Sequence, residues 1–158
     1  MFGKPSCSLQ RITHTNVIRD ANNPIGSIVQ GHTNLTDIKK AASLLWRVGI
    51  KPSQIALGFG FYGRSFELSD PTCSKPGCPF SGGAKPGPCS ATSGVLMHYE
   101  IQAMINQLSR PTIDSDGAQV SALKPTHDED AAVNYVVFDN NQWVSYDDAK
   151  TFLSLIHI

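Results

Sequence analysis

Tyr62 and Arg64 are the residues of this sequence whose types and spacing best suit the binding of a ligand. They belong to residues 55–66, IALGFGFYGRSF, an apolar run that ends in polar chemistry, and this stretch predicts a buried strand. Side chains of a regular strand alternate between faces. One face would carry four apolar residues: Ile55, Leu57, Phe59 and Phe61. The other face would carry two glycines, a phenol and a guanidinium: Gly58, Gly60, Tyr62 and Arg64.

A face of this kind suits a sugar. The glycines clear space for a ligand, the aromatic ring offers apolar area to the C–H groups of a sugar ring, and arginine offers several fixed donors to its oxygens. The alternative is that Arg64 only forms a salt bridge inside a core, and the spacing alone does not separate the two interpretations.

Other acidic and aromatic residues are weaker candidates. Glu67 and Asp70 are close in sequence, and residues 127–130, His-Asp-Glu-Asp, could suggest a metal site. The acidic cluster follows Pro125 in a predicted loop, which favours a solvated turn over a site. Two residues of a predicted hairpin, Trp143 and Tyr146, are interpreted as packing residues first and ligand contacts second.

Cys73, Cys78 and Cys89 lie in residues 69–94, where proline, glycine and serine are so frequent that regular structure is not expected. A disulfide between two of the three would hold a loop that has few apolar side chains, and the pairing stays open. The third thiol would then need a partner elsewhere. Zinc is the weaker interpretation, because no histidine follows these cysteines at a usual ligand spacing. We expect no metal and no cofactor.

The elements that position these residues begin with a helix. Asn34 is a suitable N-cap, Asp37 favours the positive end of the helix, and Gly49 and Pro52 end it. Its apolar stripe recurs at three- and four-residue steps: Leu35, Ile38, Ala42, Leu45 and Val48. Helix, turn and strand in this order predict one α/β unit.

The second half of the chain predicts a helix, a hairpin and another helix start. A stripe from Met97 to Leu108 has helical spacing, and residues 131–138 and 142–146 alternate on either side of a turn at residues 139–141. Asp147 and Asp148 then suit the start of a helix that is soon cut off.

Composition excludes some functions. The 158 residues are 41% hydrophobic and 16% charged, with a formal net charge of zero, so neither nucleic acid nor a membrane surface is an expected partner. The last residues are too few for a membrane span, which takes about 20. Met1 to Arg19 shows no apolar core of a signal peptide.

Three segments resemble the chitinases of glycoside hydrolase family 18, in their fungal, chitotriosidase-like form. They read GHTNLTDIKKAASLLWRVGIKPSQIALGFGFYGRSFELSDPTC, PGCPFSGGAKPGPCSATSGVLMHYEI and YVVFDNNQWVSYDDAKTF, within residues 21–152. The resemblance implies an incomplete (β/α)₈ TIM barrel with a small α+β insertion domain, because a whole barrel needs about 250 residues. It implies an unmatched segment 1–19, a barrel helix and penultimate strand within 33–66, an insertion domain over about 67–146, and a divergent tail 153–158.

The resemblance also implies a substrate and a limit. Tyr62 and Arg64 match residues at the family's chitin cleft, and complete members hydrolyse β-1,4-linked N-acetylglucosamine polymers by substrate-assisted retaining catalysis. The family's DxxDxDxE acid motif is absent from this sequence, so no catalytic residue is assigned and the chain alone should be inactive and bind chitooligosaccharides weakly. Family members are extracellular. The alternative is a non-catalytic chitin-binding or scaffold protein.

Overall fold

The computed structural model describes residues 26–108, 112–113, 119–120 and 122–158. Segment 1–19, with Cys7, therefore lies outside the described residues. Within them are helices α1 (Leu35–Arg47), α2 (His98–Leu108) and α3 (Ala149–Ile156), and a 3₁₀ turn at Pro52–Gln54. The strands are β1 (Tyr62–Leu68), β2 (Phe80–Gly83), β3 (Val95–Met97), β4 (Thr112–Ile113), β5 (Gln119–Val120), β6 (Thr126–Asp128), β7 (Val133–Phe138) and β8 (Gln142–Tyr146).

A six-stranded antiparallel sheet forms the centre of the described fold. Its strands run in the order β2-β1-β8-β7-β6, and β3 also pairs with β1. The hairpin predicted at residues 131–146 is confirmed as β7 and β8, which pair from Asn134 opposite Tyr146 to Phe138 opposite Gln142. Asp139 and Asn140 take positive φ angles in the connecting turn, a conformation that Asp and Asn tolerate better than most residues.

Each face of the sheet carries its own apolar cluster. Alternation along β1 puts Gly63 and Ser65 on the face that packs against α2. A Cβ atom on Gly63 would lie 2.7 Å from both Ile101 and Val144, so glycine is needed for this close approach of the helix. The cluster on that face is built from Leu96, Ile101, Ile105, Val136, Phe138, Val144 and Tyr146.

The opposite face of the sheet is covered by the chain before α1 and by the disulfide loop. Val29 donates its backbone N–H to Cys78 and accepts from Gly77, both at 2.8 Å. The apolar cluster here consists of Val29, Leu68, Cys78 and Trp143, with aromatic neighbours at the rim. Tyr62 and Arg64 alternate onto this same face, at the end of β1 away from the disulfide loop.

The predicted helix is confirmed as α1. Asn34 accepts a hydrogen bond from the backbone of Asp37 at 3.1 Å, and Gly49 takes a positive φ of 85° just beyond the last turn. The apolar stripe does not pack as predicted, since α1 buries none of its side chains and Val48 is 75% exposed.

The strand predicted over residues 55–66 is confirmed only from Tyr62 onward. Residues 55–60 follow the 3₁₀ turn without regular structure, and the strand begins at Tyr62. A strand needs a hydrogen-bonded neighbour, and among the described residues the pairing partners lie alongside residues 62–68. Phe61 is consequently 66% exposed, although Phe59 and Phe61 contact the ring of Phe152 in α3.

Residues 69–94 contain more regular structure than their composition predicts. Phe80–Gly83 forms β2, because the edge of β1 offers it backbone partners from Phe66 to Leu68. The helix predicted to start at Asp147 and Asp148 is also longer than expected, because it continues into the tail at residues 153–158. Asp148 caps α3 by accepting from Lys150 and Thr151, and the helix runs to Ile156.

Candidate functional site

Tyr62 and Arg64 form a stacked pair on one face of β1. The guanidinium carbon of Arg64 lies 5.3 Å from the centre of the Tyr62 ring, within the range of a cation–π contact. Tyr62 is about one third exposed and Arg64 is half-buried. A Cβ atom on Gly60 would stand 2.9 Å from the Tyr62 ring, so Gly60 provides the room in which the ring lies.

Arg64 has no carboxylate within ion-pair distance among the described residues. The salt-bridge alternative raised by the sequence therefore finds no support in the described part of the chain. Its guanidinium instead lies over the Tyr62 ring. An arginine in this state can donate to neutral oxygens of a ligand.

His32 and Asp147 are buried beside this pair, and the sequence interpretation identified neither as a site residue. Nε2 of His32 lies 3.3 Å from Oδ2 of Asp147, and their side chains are 4% and 0% exposed. The imidazole N–H is not aligned with the oxygen as a hydrogen bond. The His32 ring also lies 5.9 Å from the Tyr62 ring, tilted by 56°.

Two elements bring these residues together. Asp147 directly follows β8, and its Oδ2 accepts a 3.0 Å hydrogen bond from the hydroxyl of Thr33. The backbone N–H of His32 donates to Oγ of Ser145 at 3.1 Å. Ser145 is the cross-strand partner of Arg64, so the segment before α1 is fixed on the sheet next to the arginine.

The electrostatics of this group favour neutral histidine. Burial lowers the pKa of His32 below its ordinary value, the charge of Asp147 opposes this shift, and the charge of Arg64 adds to it. The arrangement is therefore a neutral imidazole between a buried carboxylate and a half-buried guanidinium.

No pattern of spacing could have revealed this part of the site. His32 and Asp147 are far apart in sequence, and His32 lies in a loop without periodicity. The sequence pattern places both Asp147 and Asp148 at a helix start. In the structure Asp148 caps α3, whereas Asp147 faces inward to His32 and Thr33.

The acidic candidates lie elsewhere. Glu67 accepts from Asn141 at 3.2 Å. Asp70 accepts from the backbone and hydroxyl of Thr72, and these hydrogen bonds lower the pKa of its carboxyl. Neither reaches Arg64, because Glu67 alternates onto the other face of β1 and Asp70 lies in an exposed turn beyond the strand.

Residues 127–130 comprise the end of β6 and the start of the turn that follows it. Asp128 accepts from the backbone of Asp130 and Ala131, and His127 shares a 2.9 Å hydrogen bond with Asn134. Within the described ranges, no three His, Cys, Asp or Glu side chains come close enough together to hold a metal ion. The sequence favoured a solvated turn over residues 127–130, whereas His127 and Asp128 belong to β6 and the turn begins at residue 129.

The cysteines and aromatic residues have structural roles. A disulfide joins Cys73 to Cys78, and Cys89 is also disulfide-bonded. Trp143 is fully buried, stacks on Tyr135 at 5.6 Å and donates its indole N–H to the carbonyl of Ser74 inside the disulfide loop.

Helices long and apolar enough to cross a bilayer do not occur in the described part of the chain.

Comparison with known proteins assigns the chain to a family. A family model described as Glycosyl hydrolases family 18 matches residues 13–158, so the chain belongs to this family of glycosidases. The match takes in residues 13–19 and 153–158, which the sequence analysis left outside its resemblance. The secreted chitinase LysM12 of Penicillium expansum is 32% identical over 139 residues, which cover 80% of this chain and 9% of that protein.

Solved structures agree with the family assignment. The Group IV chitinase of Ostrinia furnacalis superimposes with a TM-score of 0.63 and 28% identity, over 76% of this chain and 29% of its own. Human YKL-39, described as a pseudo-chitinase with retained chitooligosaccharide binding properties, gives a TM-score of 0.62 and 28% identity over 76% of this chain and 28% of its own. The chain thus spans less than a third of the length of these relatives.

Proposed function

We propose that this chain is the portion of a fungal family 18 chitinase that carries the acceptor-side wall of the chitin cleft. In this proposal α1 and residues 52–61 belong to an incomplete (β/α)₈ barrel, and the antiparallel sheet of residues 62–146 is the α+β insertion domain. The family match and the fold of the chitinase relatives support it. The insertion domain is proposed to begin at residue 62 and not at about residue 67, because β1 begins at residue 62 and pairs within the antiparallel sheet.

Arg64 stacked on Tyr62 is the observation that carries the proposal. A sugar presents apolar C–H faces and many neutral oxygens, and this pair offers a half-exposed aromatic face beside donors that no described carboxylate occupies. The ligand class is β-1,4-linked N-acetylglucosamine, chitin or its oligosaccharides. Binding should be weak in the chain alone, since an open wall encloses only part of a ligand.

The proposed chemistry of the complete enzyme is substrate-assisted retaining hydrolysis, outside the cell. The acetamido oxygen of the substrate attacks the anomeric carbon while a protein carboxylic acid protonates the leaving oxygen. This chain lacks the DxxDxDxE motif that supplies that acid in the family. We assign it no catalytic residue and expect no hydrolysis from it.

A second function, a chitin-binding protein without catalysis, is favoured by one comparison. YKL-39 is described as a pseudo-chitinase that keeps chitooligosaccharide binding, and this chain superimposes on it about as well as on the active chitinase. The binding face proposed here would serve both functions.

The test is a titration of the purified chain with N-acetylglucosamine tetramer. Arg64→Ala should weaken the binding free energy by about 1 to 3 kcal/mol, the range for removing one partner of a buried polar contact, and leave the melting temperature unchanged. Arg47→Ala, which removes an exposed arginine of α1, is the matched control and should change neither quantity.

Two results would count against the proposal. Unchanged affinity in Arg64→Ala together with a clearly lower melting temperature would make Arg64 a structural residue. Turnover of a fluorogenic chitobioside that survives purification to homogeneity would show that the chain carries its own acid.

A further inference from the structure

The pair formed by His32 and Asp147 is not explained by packing alone. Both side chains are more than nine-tenths buried, yet Nδ1 of His32 and Oδ1 of Asp147 have no hydrogen-bond partner among the described residues. A buried polar group without a partner lowers the stability of the fold. Such a group in a folded protein calls for an explanation other than packing.

The residue that His32 serves is identified by its contacts. Its ring faces Tyr62, and its backbone N–H bonds Ser145, which lies opposite Arg64 in the sheet. Asp147, whose Oδ2 accepts a hydrogen bond from Thr33, lies 3.3 Å from Nε2 of the imidazole. Among the described residues, the charged and titratable groups around His32 are Asp147 after β8 and Arg64 with Tyr62 on β1.

We infer that His32 is a positioning residue for the Tyr62–Arg64 pair, holding the ring and the guanidinium in their binding arrangement while it is neutral and disturbing them when it is protonated. This inference rests on the proposed function and adds a pH-dependent control to the same binding face.

The direction of the effect follows from the charges. An imidazolium beside Arg64 repels the guanidinium and is drawn toward Asp147, so the ring moves away from its contact with Tyr62. Oligosaccharide affinity should then fall on acidification by about fivefold, the lower end of typical coupling between two sites. The same coupling requires bound ligand to lower the pKa of His32.

The experiment measures affinity for N-acetylglucosamine tetramer and the His32 imidazole signal by NMR from pH 5 to pH 8, at a dilution where the chain is monomeric. Comparison with the spectrum of His32→Asn assigns the signal among the five histidines. His32→Phe keeps a ring against Tyr62 but cannot ionise, so its affinity should not change with pH. His127→Phe is the matched control, since His127 lies at the other end of the strand order, and it should keep the pH dependence of the unmodified chain.

A second measurement needs no ligand. Arg64→Gln should raise the pKa of His32 and Asp147→Asn should lower it, because each removes one of the two opposing charges. Equal pH dependence in the unmodified chain and in His32→Phe, or a His32 titration unmoved by Arg64→Gln, would overturn the inference. Absence of binding at every pH would instead defeat the proposed function, and the His32 titration alone would then decide whether the three groups are coupled.

Discussion

Tyr146 is the residue whose ionisation the fold opposes most strongly. Burial on the α2 face of the sheet raises its pKa to about 12, and the charge of Asp148 adds to the shift. A raised pKa in the folded state means that stability is complete below the unfolded value near 10 and is lost as the pH rises toward 12.

The chain should therefore become less stable between about pH 9 and about pH 11.5, by about 1 to 2 kcal/mol after allowance for solvent screening. Tyr146→Phe keeps the packing and removes the ionisation, so urea unfolding of the variant should lack this portion of the loss. An equal loss in both proteins would assign the alkaline transition to other groups.

At the scale of single residues, the sequence could predict that Tyr62 and Arg64 share a face but not which residues lie beside them. Tyr62 and Arg64 share a face because any strand alternates, even though the strand begins seven residues later than predicted. His32 and Asp147 became neighbours only through the packing of the first loop on β8, an interaction that no local pattern contains.

Glu100 fixes the loop between β2 and β3 to the start of α2. It is buried at the start of α2, where Oε1 accepts from the backbone of Cys89 at 2.7 Å and Ser90 at 3.0 Å, and Oε2 accepts from Met97 at 2.7 Å. A Cβ atom on Gly87 would collide with the same carboxylate. One side chain thus binds three backbone N–H groups of a loop that has little apolar surface of its own.

Glu100→Gln should lower the free energy of unfolding by about 1.5 to 3 kcal/mol, because an amide offers one acceptor and turns its NH₂ toward a backbone donor. Glu129→Gln, at an exposed carboxylate, should have almost no effect. Urea unfolding compares the two, and amide hydrogen exchange at Cys89, Ser90 and Met97 should quicken only in Glu100→Gln. Equal stability of the two variants would remove Glu100 from this role.

Elements with strong local signals were predictable, and those that depend on a partner were not. The cap at Asn34 with the glycine after the helix predicted α1, and a turn between two alternating runs predicted β7 and β8. The apolar run at residues 55–61 had the composition of a buried strand, but pairing decides whether a strand forms. In the same way β2 arises from the free edge of β1 and not from its own sequence.

At the scale of the whole molecule, many large hydrophobic side chains of the described fold remain exposed. They lie on α1 and its C-cap, on residues 55–61 and on α3: Leu44, Leu45, Trp46, Val48, Ile55, Leu57, Phe61, Leu153 and Ile156. Exposed apolar surface drives association between molecules when it is contiguous.

We expect the chain to self-associate as its concentration rises and to bind a hydrophobic dye. Replacing two strongly exposed side chains, Leu44 of α1 and Val48 at its C-cap, in Leu44→Lys with Val48→Glu should shift the sedimentation profile toward monomer. Exchanging the charges of the exposed pair Asp37 and Lys40 on the same helix removes no apolar surface and is the control. A monodisperse chain that unfolds cooperatively at all concentrations would contradict the expectation.

The placement of the two tryptophans gives the molecule an optical consequence. Trp46 lies on the exposed side of α1 and is 39% exposed, whereas Trp143 is fully buried with its indole N–H bonded inside the disulfide loop. A soluble collisional quencher such as iodide reaches the first indole and not the second. Steady-state emission therefore separates into a component from Trp46, which iodide quenches, and a component from Trp143, which it does not. Loosening of the disulfide loop would expose Trp143, and its emission would then become accessible to the quencher.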